Sequence, residues 1–294
     1  MTSARSLPIV VGVDGSASAR LAVTWAADEA AARHVPLRIV HANPWPSVRP
    51  QARLPVEYQQ PRLEFARELV QRSVAAAGAG HPALTVTSQL ATATPIELML
   101  DESRRAQLVV LGSRGLGGVS GMLLGSVAVA VASHGQCPLV VVRGSDLEAA
   151  PPTDGPVVVG VDGTPNDTPA LRFAFEFADR RGAPLTVLHT WSDVPLDTPE
   201  TDGHRFTDWS AVEEGEHRLL AERLAGWQQE FPDVKISKVV TRDRPVRSLL
   251  DAAATARLLV VGSRGRGGFT GMLLGSTSQA LLHHSPCPVA VVRD

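Results

Sequence analysis

The residues best suited to chemistry are two stretches with the same spacing: Gly112-x-x-Gly115 followed by Gly125-Ser126, and Gly262-x-x-Gly265 followed by Gly275-Ser276. Each comes directly after a short apolar run and directly before a helical pattern. Glycine tolerates positive φ and lets another group approach the backbone, while a helix beginning at the serine presents free N–H groups and the positive end of its dipole. These are the requirements of a phosphate cradle. The hydroxyls of Ser126 and Ser276 are further donors, and Arg114 and Arg264 are candidates for the positive charge. Lysine cannot supply that charge, because Lys235 and Lys238 are the only lysines and neither follows a glycine, so the pattern G-x-x-x-x-G-K-[S/T] is absent. The alternative is a surface loop with Ser126 and Ser276 as ordinary helix caps. Repetition at fixed spacing, at the strand-to-helix junction where α/β folds bind ligands, favours the cradle.

Asp14 and Asp162 close the first apolar run of each half, in VGVDGS and VGVDGT. A carboxylate at that edge can accept from ribose hydroxyls or hold a metal among phosphates, and the competing reading is an Asp-Gly turn into the next helix. His41 and His189 end the second run without a Cys or His at metal-ligand spacing, which favours satisfaction by backbone over catalysis. The residues that follow them, Ala42 and Thr190, are candidates for backbone contact with a base. Cys137 and Cys287 each precede proline and form no CxxC, the pattern of packed, unreactive thiols. The five tryptophans lack interleaved basic residues, as packing rather than base-stacking residues do. Pro46 to Pro61, with four prolines, reads as a long loop beside the crevice and a flap over ligand.

The elements that must position these residues occur twice. IVVGVDGS at Ile9 matches VVVGVDGT at Val157 in six of eight positions, an offset of 148 that recurs at Pro36 and Pro184. GSRGLGGVSGMLLGS at Gly112 matches GSRGRGGFTGMLLGS at Gly262 in twelve of fifteen positions, an offset of 150. Two net residues are therefore inserted between, in the loop and helix after the second strand. Within each copy, Val/Ile/Leu runs such as Pro8 to Val13, Leu37 to His41, Leu84 to Leu90, Leu108 to Leu111 and Leu139 to Val142 alternate with helical patterns at Ala19 to His34, Pro61 to Ala77 and Pro95 to Arg105. Such alternation predicts two tandem doubly wound α/β, Rossmann-like domains, each a parallel sheet with helices on both faces. The predicted boundaries are residues 1–145 and 156–294, with a polar, proline-bearing linker over 146–155.

Composition narrows the function. The 28 Lys+Arg against 30 Asp+Glu, a net charge of -2, disfavour nonspecific binding to nucleic acid or membrane surfaces. No apolar run reaches the length of a membrane span or a signal-peptide core, and two cysteines in 294 residues suit a reducing cytosol. A dinucleotide-binding redox protein would need G-x-G-x-x-G after the first strand, where Gly12-Val13-Asp14-Gly15-Ser16 stands instead.

On the strand-end Asp14 and Asp162, the G-x-x-G-x9-G-S segments and the closing CPLVVVR and CPVAVVR strands, the chain resembles the universal stress protein family in its tandem form. The resemblance covers nearly the whole chain, and both copies keep the glycine motif that marks the family's ATP-binding members. It implies five-stranded sheets of order 3-2-1-4-5 that pair through the fifth strand, hence an internal pseudo-dimer and further homodimerisation. It also implies ATP as ligand, with Mg among the phosphates. Asp14 then lies near the nucleoside, Ala42 offers backbone to adenine, and Gly112, Gly115, Gly125 and Ser126 surround the phosphates; Asp162, Thr190, Gly262, Gly265, Gly275 and Ser276 take the same parts in the second copy. Leu116 against Arg266 and Val119 against Phe269 would make the sites unequal. The expected function is a cytosolic ATP-responsive regulator of stress response or growth arrest that acts through a protein partner. The alternative is a weak ATPase or phosphotransferase using the two aspartates and a metal.

Overall fold

The structure, a computed structural model, describes residues 7–44, 56–116, 124–144, 149–191, 209–265 and 273–293. Ten strands form one sheet, in the order β3-β2-β1-β4-β5-β10-β9-β6-β7-β8. The first five are β1 (Ile9–Gly12), β2 (Leu37–Ala42), β3 (Val86–Ala91), β4 (Leu108–Gly112) and β5 (Leu139–Val142). The second five are β6 (Val157–Val161), β7 (Leu185–Trp191), β8 (Ile236–Arg242), β9 (Leu258–Gly262) and β10 (Val289–Val292). Within each half every pairing is parallel. Each half therefore has the order 3-2-1-4-5, and the halves meet where β5 and β10 pair antiparallel, Val140 opposite Ala290.

The helices are α1 (Ala17–Arg33), α2 (Val56–Gly80), α3 (Pro95–Ser103) and α4 (Ser126–His134) in the first half. In the second they are α5 (Thr168–Arg181), α6 (Trp209–Leu224), the short α7 (Trp227–Glu230), α8 (Pro245–Ala253) and α9 (Ser276–His284). The strands' continuous apolar runs reflect cover on both faces: every residue of β5 and β10 is buried. At about 1.5–3 kcal/mol per fully buried aliphatic side chain, burial across that junction binds the two halves firmly. Reciprocal caps reinforce it. Arg143, after β5, donates to Leu282 O near the end of α9, and Arg293, after β10, donates to Ala132 O and Ser133 O near the end of α4. Guanidinium groups there satisfy carbonyls that a helix end leaves unpaired.

Local signals set the helix ends. Ser16 caps α1 by accepting from Ala19 N at 3.1 Å, and Thr94 with Glu97 forms a capping box ahead of Pro95 in α3. The α1 and α5 C-caps, His34 and Gly182, both adopt the left-handed conformation at φ 55°. Helix α2 begins earlier than the sequence pattern suggests. It runs through Pro61, which was expected to close the flap and open the helix. A proline in the first turns lacks only one amide bond, and the apolar positions beyond it fix the helix against the sheet. The rest of the flap expectation, over 46–55, lies outside the described residues.

On one face of the sheet α1 and α5 meet across the junction. Trp25 stacks on Phe177 with ring centroids 6.1 Å apart, and the fully buried Glu29 binds Arg33 at 2.6 Å, Arg181 at 2.9 Å and Arg180 at 3.3 Å. Sequence reading assigned Glu29 no role.

Candidate functional site

Both strand-end aspartates sit where the sheet's carboxyl edge opens, and each divides its two oxygens between two tasks. Asp14 Oδ1 accepts from Ser16 N at 2.9 Å, and Asp162 Oδ1 accepts from Thr164 N at 2.8 Å. Gly15 and Gly163 between them have φ of 96° and 80°, so the Asp-Gly turn into the first helix is present. The second oxygen faces the glycine segment. Asp14 Oδ2 accepts from Leu116 N at 2.8 Å, and a Cβ on Gly115 would fall 2.4 Å from that oxygen. A Cβ on Gly265 would fall 3.3 Å from Asp162 Oδ2. The aspartate and the second glycine of the motif are thus direct neighbours in both copies.

The first two glycines of each motif act by close approach rather than by unusual backbone angles, whereas a Cβ on Gly125 or Gly275 would meet only ordinary contacts. Among the described residues the positive-φ glycines are Gly15, Gly155, Gly163 and Gly182, and none belongs to either motif. A Cβ on Gly112 would collide with Ser18 at 2.6 Å, and one on Gly262 would lie 3.1 Å from Arg264 O. Gly125 N donates to Ser113 O at 2.9 Å and Gly275 N to Ser263 O at 2.8 Å, which folds the end of each segment back onto its start. Gly125 and Gly275 are the N-caps of α4 and α9 and make no side-chain cap bond. Ser126 and Ser276 are therefore first helical residues, not caps, and both are exposed. The first intrahelical bonds are Val129 N to Gly125 O and Gln279 N to Gly275 O, so the amides of 126–128 and 276–278 point out of the helix end. Residues 117–123 and 266–272, with Val119, Arg266 and Phe269, lie outside the described residues.

The remaining candidates fall around this edge. Ala42 ends β2 and Thr190 is the last residue but one of β7, opposite Ala91 and Thr241. His41 Nδ1 lies 2.7 Å from Val13 O and His189 Nδ1 lies 3.0 Å from Val161 O, which ties the second strand of each copy to the residue before the aspartate. Arg114 contributes its carbonyl, which accepts from the hydroxyls of Ser16 and Ser18, rather than an exposed charge; its Nε is buried without a partner. Cys137 and Cys287 are buried, and burial pushes their thiols up to about 12 and about 11, beyond the range of a reactive thiolate.

Three residues escaped the sequence reading. Ser18 pins the start of the first glycine segment to α1. Asp167 accepts from Gly163 N at 2.7 Å and Asp162 N at 3.1 Å, and burial, with Asp162 as a like-charged neighbour, pushes its carboxyl up to about 6. Glu216 on α6 lies 2.8 Å from His189 Nε2, so both nitrogens of this buried ring are occupied. At the repeat offsets the first copy has Ala19 and Ala66 in place of Asp167 and Glu216, a signal visible on aligning the copies.

Among the described residues no group of three or more His, Cys, Asp or Glu could hold a metal ion, and no helix is long and apolar enough to cross a membrane. The family model described as "Universal stress protein family" matches residues 7–143 and 155–293. Two Mycobacterium tuberculosis relatives are similar over nearly their full length. Universal stress protein Rv2005c is 42% identical over 97% of each chain, and universal stress protein Rv2623 is 40% identical over 98% of this chain and 97% of that one. The crystal structure of a universal stress protein from Archaeoglobus fulgidus covers 97% of this chain and 98% of its own, with a TM-score of 0.71 at 18% identity, a likeness of fold. Two matches to one family model, and relatives of this length and identity, establish that the chain belongs to the universal stress protein family, with two tandem domains.

Proposed function

We propose that each half binds one ATP at the carboxyl edge of its sheet, and that the protein is a nucleotide-responsive regulator rather than an enzyme. The observation that carries this reading is the repeated contact of a strand-end carboxylate with a glycine segment that ends on an uncapped helix N-terminus. Phosphate oxygens suit the outward amides of 126–128 and 276–278, with the Ser126 and Ser276 hydroxyls beside them. Ala42 and Thr190 lie at or one residue before the end of the strand beside the one that leads to the aspartate and suit the base, with Asp14 and Asp162 toward the ribose. Gly112, Gly115, Gly262 and Gly265 keep the floor of the cradle free of side chains. The oxygens of Asp14 each already accept a backbone amide, so Mg, where it accompanies ATP, is held chiefly by the phosphates.

In the second half, a regulatory rather than catalytic role is supported by His189. Both its ring nitrogens are engaged, by Val161 O and Glu216, which leaves no basic nitrogen for a substrate proton. Regulation then proceeds through a protein partner in the cytosol, with the paired halves assembling further as a homodimer. Denaturing freshly purified protein and chromatographing the released small molecules should yield adenine nucleotide approaching two per chain. Mg-ATP should also stabilise the fold, by about 2.7 kcal/mol at roughly a hundredfold excess over its dissociation constant. An unchanged melting midpoint at millimolar ATP in nucleotide-free protein would refute the reading. ADP formation that disappears in the double variant Asp14→Asn/Asp162→Asn would instead favour the weak ATPase.

A further inference from the structure

Away from both glycine segments, a cavity of about 180 Å³ lies where α1, α5 and the connecting segment meet. Trp25 and Phe177, nearly coplanar at an interplanar angle of 5°, supply an aromatic wall, and Pro151 and Pro152 of the connection also line it. Two guanidinium groups, Arg181 and Arg257, face the same space. Arg33, Arg180 and Arg181 share the buried carboxylate of Glu29, with Glu176 a second partner 3.7 Å from Arg180, and Arg33 Nη2, Arg180 Nε and Arg181 Nε are buried without a partner. Asp28, the acidic residue of the lining, is engaged by His81 at 2.6 Å. Arg257 is held in place by its Nε bond to Gly155 O at 2.8 Å; burial lowers its pKa, against the pull of the neighbouring Asp154 carboxylate.

We propose that this seam cavity is a second small-molecule site, independent of the nucleotide reading, that takes a single-ring aromatic carboxylate. A dry cavity of roughly 150 Å³ accepts benzene in another protein, so the volume suits one six-membered ring. Guanidinium groups pair with carboxylate by charge-assisted hydrogen bonds, and the ring lies against Trp25 and Phe177. An occupant touches both repeats and their connection at once, so it tightens the seam on which the pairing of the halves depends.

Benzoate is the probe, on full-length protein, with benzamide as its uncharged isostere and inorganic phosphate as charge without a ring. Titration calorimetry and melting should show binding of benzoate at millimolar or lower concentration, benzamide weaker by roughly tenfold or more, and phosphate without effect. Thr24→Trp places a bulky group at an exposed position of the lining and leaves both arginines in place. It should reduce benzoate affinity by roughly tenfold or more and leave the ATP response unchanged. Arg257→Gln should do the same. Equal binding of benzoate and benzamide, a phosphate shift as large as that of benzoate, or undiminished benzoate affinity in folded Thr24→Trp protein would each overturn the proposal. None of these outcomes bears on ATP binding, which melting with Mg-ATP reads separately.

Discussion

One methyl group added to the glycine that faces each strand-end aspartate should affect the two halves unequally. The Cβ of Gly115→Ala would stand 2.4 Å from Asp14 Oδ2, far inside van der Waals contact, whereas that of Gly265→Ala would stand 3.3 Å from Asp162 Oδ2. Asp14 cannot yield without loss, because the displaced oxygen accepts Leu116 N and the other accepts Ser16 N. Swinging the carboxylate aside forfeits one hydrogen bond to a charged acceptor, on the order of 1.5–3 kcal/mol. At Gly265 a shift of a few tenths of an ångström suffices, with a cost of roughly 0.5 kcal/mol or less. Urea unfolding followed by tryptophan fluorescence gives the stability of each variant, and calorimetric ATP titration gives stoichiometry and affinity. Gly115→Ala should lower stability by the larger figure and weaken one of two sites by about ten- to hundredfold, at about 1.4 kcal/mol per decade. Gly265→Ala should leave both measurements near those of the parent protein. Equal behaviour of the two variants, or greater damage from Gly265→Ala, would refute the assignment of Asp14 as the residue that the first glycine segment is built to admit.

Asp167→Asn should change the pH dependence of stability. The folded carboxyl sits at about 6 against an ordinary 3.8, so between these values the native state binds more protons than the unfolded chain. The associated stability is full below pH about 4 and lost as pH rises through about 6, a loss of about 3 kcal/mol that the asparagine variant, which cannot ionise, should lack. Denaturation midpoints of both proteins between pH 4 and pH 7 check this, and parallel curves would contradict it. Glu29→Ala should take the shared carboxylate from three arginines, of which Arg180 keeps Glu176, and destabilise the protein by about 3–5 kcal/mol, measurable by urea unfolding. A loss below about 1 kcal/mol would show that the arginines find other partners.

The alternation of apolar runs with helical patterns was legible because parallel strands covered on both faces admit little but Val, Ile, Leu and Ala. Repetition made the reading stronger, since Asp14 with Asp162 and the two glycine segments stand at matched places in both halves. What the glycines are for was not legible. Spacing is silent on whether a glycine serves φ or proximity, and only the position of the Asp14 side chain decides it for Gly115. The start of α2 was hidden because Pro61 is an ordinary loop signal, outweighed here by tertiary packing. Glu29 was overlooked because its partners Arg180 and Arg181 are about half the chain away and nothing local marks it as buried.

That glutamate bears on which halves can pair. In an isologous dimer of two identical domains, every contact is made twice, and a residue meets the same neighbours on both sides of the axis. At the repeat offset of 148, Glu29 corresponds to Phe177 and Arg180 to Ala32. Two copies of the first half placed together would therefore bury two Glu29 side chains, with Arg33 where Arg181 stands but Ala32 where Arg180 stands. Two copies of the second half would bury Arg180 and Arg181 with no Glu29 between them. Only the unlike pair gives Glu29 both Arg180 and Arg181 and sets Trp25 on Phe177. The seam thus favours the unlike pair: two second halves would bury their arginines without Glu29, and two first halves would keep Glu29 on Arg33 but lose Arg180 and the Trp25–Phe177 stack. Fusion into one chain releases each half from mirroring its partner, and that freedom is what allows Asp167 and Glu216 to stand in one half while alanines hold their places in the other.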